Sequence, residues 1–224
     1  VSLRAVFPSP GPVDDLDAAY RVPRADWVRV GMITSIDRSV AGADGTSSTL
    51  TRGSDRRVLG AIRRASDVVL IGAASLRREG YLLPKSRPLA VVTASGDLSG
   101  PSVPEELEPG RLFVLCPSSE LASIDVPGAR VVGMNGSSSA TIIDTLGGLG
   151  FRSIDCEGGP MLAGTLLADG VVDELCLSTS PVIGGPWVPP LPGHSARTLR
   201  LTQLLVDDAG VSYARWRVAP RATG

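Results

Sequence analysis

Ser153-Ile154-Asp155-Cys156-Glu157-Gly158-Gly159-Pro160-Met161-Leu162-Ala163-Gly164 reads as the end of a buried strand over Ser153–Cys156, a tight turn through Gly158 and Gly159, and a helix opening at Pro160. Proline suits a first helical position because its missing N–H would find no helical partner there. Two glycines remove the Cβ atoms that would hold a ligand off the backbone. The free N–H groups and positive dipole end of the helix then face whatever lies beyond the strand, and a phosphate suits that place. Glu157 stands at the strand tip. A carboxylate repels phosphate, so it is expected to point at a different part of a ligand. The stretch is not a P-loop, since no Lys-Ser/Thr follows, and its spacing is not Gly-x-Gly-x-x-Gly. By itself it is equally compatible with a plain strand-to-helix turn.

Outward from this turn, apolar runs and breakers alternate along the chain. Upstream, Trp27–Ser35 is a mostly apolar strand left through Ile36-Asp37-Arg38, and residues 42–48 form a loop. Thr51 or Ser54 can cap a helix through Ala65, with Val58, Leu59, Ile62 and Ala65 on one face. Arg56, Arg57, Arg63 and Arg64 fall mostly on the other face, expected to be solvated. Asp67–Ile71 and Pro88–Thr93 are strands that end in small residues, Gly72-Ala73-Ala74-Ser75 and Thr93-Ala94-Ser95-Gly96. Leu112–Cys116 and Arg130–Gly133 are strands, and Ala140–Leu149 is a helix. Downstream of the focal strand come a helix over Pro160–Ala168 and a strand over Glu174–Pro181. Two runs, Leu199–Val206 and Gly210–Val218, are joined by an Asp-rich turn into a hairpin. Residues 1–26, with four prolines, are expected to be an irregular arm holding a short helix over Asp14–Tyr20. The pattern predicts an α/β fold over 27–224 as a single domain, its sheet mostly parallel with a C-terminal antiparallel hairpin at the edge.

Composition narrows the function classes. The 224 residues carry a net charge of −1 and only 4% aromatics, which argues against nucleic acid as a partner. No apolar run approaches the roughly 18 residues of a membrane span, and no charged-then-apolar leader opens the sequence, so a cytoplasmic location is expected. Cys116, Cys156 and Cys176 lie far apart in apolar surroundings and read as buried thiols, not a disulfide frame or a metal cluster. The single histidine, His194, sits in a Pro/Gly-rich loop, so neither a histidine base nor a metal site is expected.

Open parallel sheets bind ligands beyond the carboxyl ends of their strands. Four such ends carry suggestive residues here: Ser35-Ile36-Asp37, Gly72–Ser75, Thr93–Ser95 and Glu157–Pro160. Hydroxyls and glycines suit an extended anion such as a dinucleotide. Asp37 and Glu157 suit a smaller polar partner beside it.

These segments together resemble a known family over about residues 27–218. Thr34-Ser35-Ile36-Asp37-Arg38 resembles the Ala-Ser-Leu-Asp-Gly signature of the reductase domain of riboflavin-biosynthesis RibD proteins. The segment from Leu70 to Tyr81 is similar to its Gly-Ala-x-Thr-Val region, in the form seen in stand-alone actinobacterial members. Glu157-Gly158-Gly159-Pro160, Val172-Asp173-Glu174-Leu175, Pro181 and Gly184-Gly185 resemble the most specific run of the family.

The resemblance implies a dihydrofolate-reductase-like fold, a homodimer, NADPH as cofactor and a small-molecule substrate. It implies reduction of a compound of the 5-amino-6-(5-phosphoribosylamino)uracil type, with hydride delivered to C1′ of the ring-opened sugar as an imine. Carried over, Thr34, Gly72, Ser75, Glu79, Thr93, Ser95, Gly158, Gly159, Pro160, Met161, Leu162 and Gly164 would hold the cofactor. Asp37, Thr51 and Glu157 would face the substrate, with Asp37 or Glu157 as proton source. Arg38 stands at a family glycine, Gly31 at a polar position, and Ala94 where relatives place an arginine for the cofactor's 2′-phosphate. Lys85 or Arg87 would serve the substrate phosphate. The His-x-Glu and Pro-Cys-x-x-Cys pattern of a zinc deaminase is absent from these residues, so deamination is not expected of them. Two further readings are a reductase of dihydrofolate or another pteridine-like substrate, and a nucleotide-binding module without chemistry.

Overall fold

The computed structural model describes residues 1–80, 83–100, 107–193 and 196–219; Tyr81 and His194 lie outside them. In chain order the elements are β1 (Leu3–Phe7), β2 (Gly11–Pro12), α1 (Leu16–Ala19), β3 (Trp27–Thr34), α2 (Asp55–Arg64), β4 (Val68–Gly72) and α3 (Ala73–Glu79). They continue as β5 (Leu89–Val92), β6 (Leu112–Pro117), β7 (Arg130–Met134), α4 (Ser139–Gly148), β8 (Ser153–Gly158), α5 (Pro160–Asp169), β9 (Glu174–Thr179), β10 (Leu199–Asp207) and β11 (Ser212–Val218).

The strands form one sheet in the order β2-β1-β10-β11-β9-β3-β8-β4-β5-β6-β7. From β9 to β7 every pairing is parallel, and from β9 outward through β11, β10, β1 and β2 every pairing is antiparallel. This is the mixed sheet that the resemblance implies, a parallel centre with antiparallel strands at one end. The hairpin β10–β11 is not the edge, however. Leu3, Arg4 and Ala5 pair with Asp207, Val206 and Leu205, so the segment expected to be an irregular arm extends the sheet past the hairpin. Its prolines are compatible with this because an edge strand need not donate on its outer side.

Alternation sorts the central strands onto two faces. Val28, Val30, Leu70, Ile154 and Cys156 pack toward Ile142 and Leu146 of α4 and Ala163 and Leu166 of α5. On the opposite face, Val58, Ala61 and Ile62 of α2 meet Tyr20, Cys176 and Tyr213. Both faces of the centre are therefore covered, as parallel strands require. The three cysteines are free and buried, and burial pushes the Cys156 and Cys176 thiols up to about 12. Among the described residues no helix is long and apolar enough to cross a membrane.

One local feature departs from the pattern reading and a second decides between its alternatives. β8 runs to Gly158 rather than stopping at Cys156, so Glu157 is part of the strand. Ser54, not Thr51, is the N-cap of α2; its own N–H is taken by Asp207 (2.7 Å) and the Tyr213 hydroxyl (3.1 Å).

Candidate active site

Two strand-to-helix turns meet side by side, because β4 and β8 are hydrogen-bonded neighbours. At the β8–α5 turn, Gly158 has a φ of 107°, which favours glycine. Gly159 caps α5, and Pro160 takes its first position. The first bond of the helix runs from Ala163 N–H to the Gly159 carbonyl, which leaves the N–H groups of Met161 and Leu162 ahead of the ladder. At the β4–α3 turn, Gly72 caps α3 and Ser75 stands in its first turn. A Cβ on Gly159 would lie 2.7 Å from the Ser75 hydroxyl oxygen, and one on Gly72 would lie 3.7 Å from the Gly159 nitrogen. The glycines thus hold open a cradle that side chains would fill. Its donors and its dipole suit the pyrophosphate of a dinucleotide.

The cradle is one end of a cleft of about 1410 Å³. A single small ligand occupies roughly 300–1,000 Å³, so the cleft has room for a cofactor and a second molecule. Of the residues singled out from the sequence, Thr51, Gly72, Ser75, Glu79, Thr93, Ser95, Glu157, Gly159, Pro160, Met161 and Leu162 line it. Lys85 also lines it, whereas Arg87 donates to the Arg64 carbonyl at 2.6 Å.

Thr34, Asp37, Gly158 and Gly164 are placed elsewhere. Thr34 is buried, and its carbonyl accepts from Ser180 N–H at 2.8 Å. Beyond it the chain turns away from the cleft, because Ile36 N–H bonds to the Val182 carbonyl at 2.8 Å. Asp37 is exposed and accepts from Gly184 N–H at 3.2 Å, so it ties two loops rather than facing the cleft. Gly158 shapes the turn from behind. Gly164 is a packing glycine, since a Cβ there would lie 2.0 Å from the Pro192 carbonyl oxygen. Glu79 lines the cleft but holds the 42–48 loop, accepting from the Ser47 hydroxyl at 3.0 Å.

Pattern reading placed Arg63 on a solvated face. Instead its guanidinium grips Glu157, with Nε–Oε1 at 2.5 Å and Nη2–Oε2 at 2.6 Å. Behind this pair lies a buried charged layer. Strand alternation puts Asp155 on the same face as Glu157 and in register with Arg29. Arg29 is fully buried and donates to Glu174 (2.6 Å) and the Tyr20 carbonyl (3.0 Å), and Glu174 also pairs with Arg215 at 2.8 Å. Both Asp155 oxygens and Arg29 Nη1 are buried without a hydrogen-bond partner in the protein. Burial first, and the Glu157 charge second, push the Asp155 carboxyl well above the ordinary carboxylate range. Asp55, at the start of α2, is 7% exposed and lines the cleft. Burial raises its proton affinity too, outweighing the Ser178 and Thr51 hydroxyls that face it. Arg29, Asp55, Arg63 and Asp155 were not singled out as site residues. The available signal was a charge inside an apolar central strand, at Arg29 and Asp155, since such a charge must find a partner or lose its ionisation.

A family model described as the RibD C-terminal domain matches residues 26–213. The chain belongs to the RibD C-terminal domain family. Within that family it is 26% identical over 206 residues to the 2,5-diamino-6-ribosylamino-4(3H)-pyrimidinone 5′-phosphate reductase of Methanothermobacter thermautotrophicus, covering 83% of this chain and 85% of the relative. It is 25% identical over 220 residues to the riboflavin biosynthesis protein RibD of Chlamydia pneumoniae, covering 87% of this chain but only 58% of that protein. This RibD-family chain also superposes on a pyrimidine reductase-like protein from Corynebacterium diphtheriae with a TM-score of 0.71 at 22% identity, over 87% of this chain and 92% of that one. That likeness shows a shared fold.

Proposed function

We propose that this chain is a pyrimidine reductase of the riboflavin-biosynthesis type. It takes hydride from NADPH and delivers it to C1′ of a ring-opened ribosylamino-pyrimidine phosphate. The observation that carries this reading is a single cleft joining the glycine cradle at Gly72 and Gly159 to the Glu157–Arg63 pair. Reduced nicotinamide, when bound, supplies the hydride.

The protein's own work is binding and positioning. Gly159, Pro160, Met161 and Leu162 at the α5 N-terminus would hold the pyrophosphate, together with Gly72 and Ser75. Thr93 and Ser95 at the end of β5 receive the adenosine side. Arg77 and Arg78 line the same cleft and offer the cations for a 2′-phosphate that Ala94 lacks. Lys85 serves the substrate phosphate. Glu157, aligned by Arg63, accepts a hydrogen bond from the heterocycle. The homodimer is part of the proposal, with Ile36, Ile183 and Trp187 as its exposed apolar residues. Leu166, Leu167 and Leu175 are buried in the core and are not available to it.

The test is oxidation of NADPH, followed by its absorbance, with three compounds in parallel. These are the ribosylamino-uracil phosphate, its 2,5-diamino-pyrimidinone counterpart and dihydrofolate. Turnover of either ribosylamino compound supports the proposal. Turnover of dihydrofolate alone, or tight NADPH binding with no turnover, overturns it.

A further inference from the structure

Reducing a carbon–nitrogen double bond consumes a hydride at carbon and a proton at nitrogen. The two carboxylates expected to give that proton are badly placed for it. Asp37 is outside the cleft, and both oxygens of Glu157 accept hydrogens from Arg63. The other acids of the cleft wall are Asp44, Asp55 and Glu79. Asp44 accepts from Thr46, Ser48 and Thr49, and these donors hold its carboxyl below the ordinary range. Glu79 is exposed and tied to Ser47. Among the described residues, Asp55 is the one acid that is both buried and on the wall.

We propose, resting on the reductase reading above, that Asp55 is the acid that protonates the substrate nitrogen. As hydride reaches C1′, the Asp55 O–H bond breaks, the N–H bond forms, and the C=N pair becomes a secondary amine. The products are the amine, the oxidised nicotinamide and the Asp55 carboxylate, which regains a proton from water once product leaves. The surroundings keep the acid form available at neutral pH. Burial dominates, and the like charges of Asp207 from β10 and Glu157 from β8 add to it. The Tyr213 phenol from β11 is close enough to feel the Asp55 charge. Ser178 from β9 and Thr51 ahead of α2 oppose the shift. On α2 itself, Arg56 and Arg63 also line the cleft, and Arg63 is committed to Glu157. From β3 the wall is Gly31, Met32 and Ile33, which bring no charge.

Asp55→Asn in the full chain tests the assignment. A lost general acid costs about 10²–10⁴-fold in kcat, with the Kd for NADPH, read by fluorescence without substrate, unchanged. The basic limb of the wild-type kcat–pH profile is absent in the variant. In the ligand-free protein, carboxyl ¹³C NMR shows two aspartates, Asp55 and Asp155, titrating above the ordinary range, and one of the two signals is missing in Asp55→Asn. Should Asp55→Asn fail to fold, Ser178→Ala reads the same group, because removing that hydroxyl moves the basic limb and the NMR midpoint to higher pH. Wild-type kcat in Asp55→Asn, or a basic limb that Ser178→Ala leaves in place, overturns the assignment alone. A wild-type chain that oxidises no NADPH with any ribosylamino compound overturns the reductase reading and this role with it.

Discussion

Arg63 of α2 and Glu157 of β8 meet in a two-pronged ion pair, 2.5 and 2.6 Å across its two hydrogen bonds, on the wall of the cleft. The side chains are 23% and 14% exposed. Solvent screening is therefore weaker than at a surface pair, and the planar guanidinium fixes the direction of the carboxylate. The pair does two things at once: it joins a helix to the sheet and it aims a charge at the ligand space.

Glu157→Gln keeps the shape and removes the charge. Hydrogen bonds to charged groups contribute about 1.5–3 kcal/mol, so a urea-midpoint loss of about 1–2 kcal/mol is expected. The double variant with Arg63→Gln should show a coupling of about 1 kcal/mol or more in a stability cycle. Additive losses would mean the two side chains act independently.

The glycines of the focal stretch should separate by role. Gly159→Val puts branches into the cradle against Ser75 and should lower NADPH affinity by about tenfold or more with the melting temperature little changed. Gly164→Ala meets the Pro192 backbone, which cannot swing aside as a hydroxyl can. It should cost about 1–3 kcal/mol of stability and leave the NADPH Kd of the folded protein intact. Calorimetry and fluorescence titration on both variants decide the matter.

Asp155 should make the protein less stable as pH rises. Its folded carboxyl holds its proton well above the ordinary 3.8, where the unfolded chain releases it. From 3.8 upward to that raised value the unfolded state therefore binds fewer protons, and unfolding gains on folding. Asp155→Asn removes its share of this dependence and leaves that of Asp55, whose carboxyl is also raised. Its melting temperature should exceed that of the wild type at about pH 8 and match it near pH 4. A wild-type curve flat between those values would show that Asp155 is not the proton-holding group.

Arg38 has a φ of 66°, a left-handed conformation that costs a residue with Cβ about 1–2 kcal/mol. Glycine avoids that cost but loses about 0.5–1 kcal/mol through its freer unfolded state. Arg38→Gly should therefore stabilise by about 0.5–1 kcal/mol net. A lower urea midpoint in the variant would show that the Arg38 side chain is held by contacts worth more than the strain.

Much of the architecture was legible because its signals are local. The apolar run at Trp27, the Gly-Gly-Pro punctuation at Gly158–Pro160 and the Asp-Asp-Ala-Gly turn ending at Gly210 each carry their own conformational preference. The first strand was not legible. Leu3–Phe7 is short and followed by prolines, and it becomes a strand by pairing with β10, about two hundred residues away in sequence. Helix α3 was read only as a turn of small residues, since Ala73–Glu79 spans barely two turns. Among the residues expected at the site, Gly72, Ser75 and Gly159 to Leu162, attached to the glycine turns, do line the cleft. The placement of the charged ones was not legible where it depends on a partner: Arg63 was expected to be solvated but grips Glu157, Asp37 was expected at the cleft but ties two loops, and the burial of Asp55 and Asp155 gave no local signal.

The sequence by itself determined the alternation of strands and helices and the open turn at Gly158–Gly159. Glycine's freedom and proline's fixed φ act within a few residues, whatever the rest of the chain does. The tertiary structure decided the surroundings of each acid. Whether a carboxyl is exposed, paired or buried alone depends on groups such as Arg63, 94 positions from Glu157. Burial and the charges brought alongside then set where each proton resides.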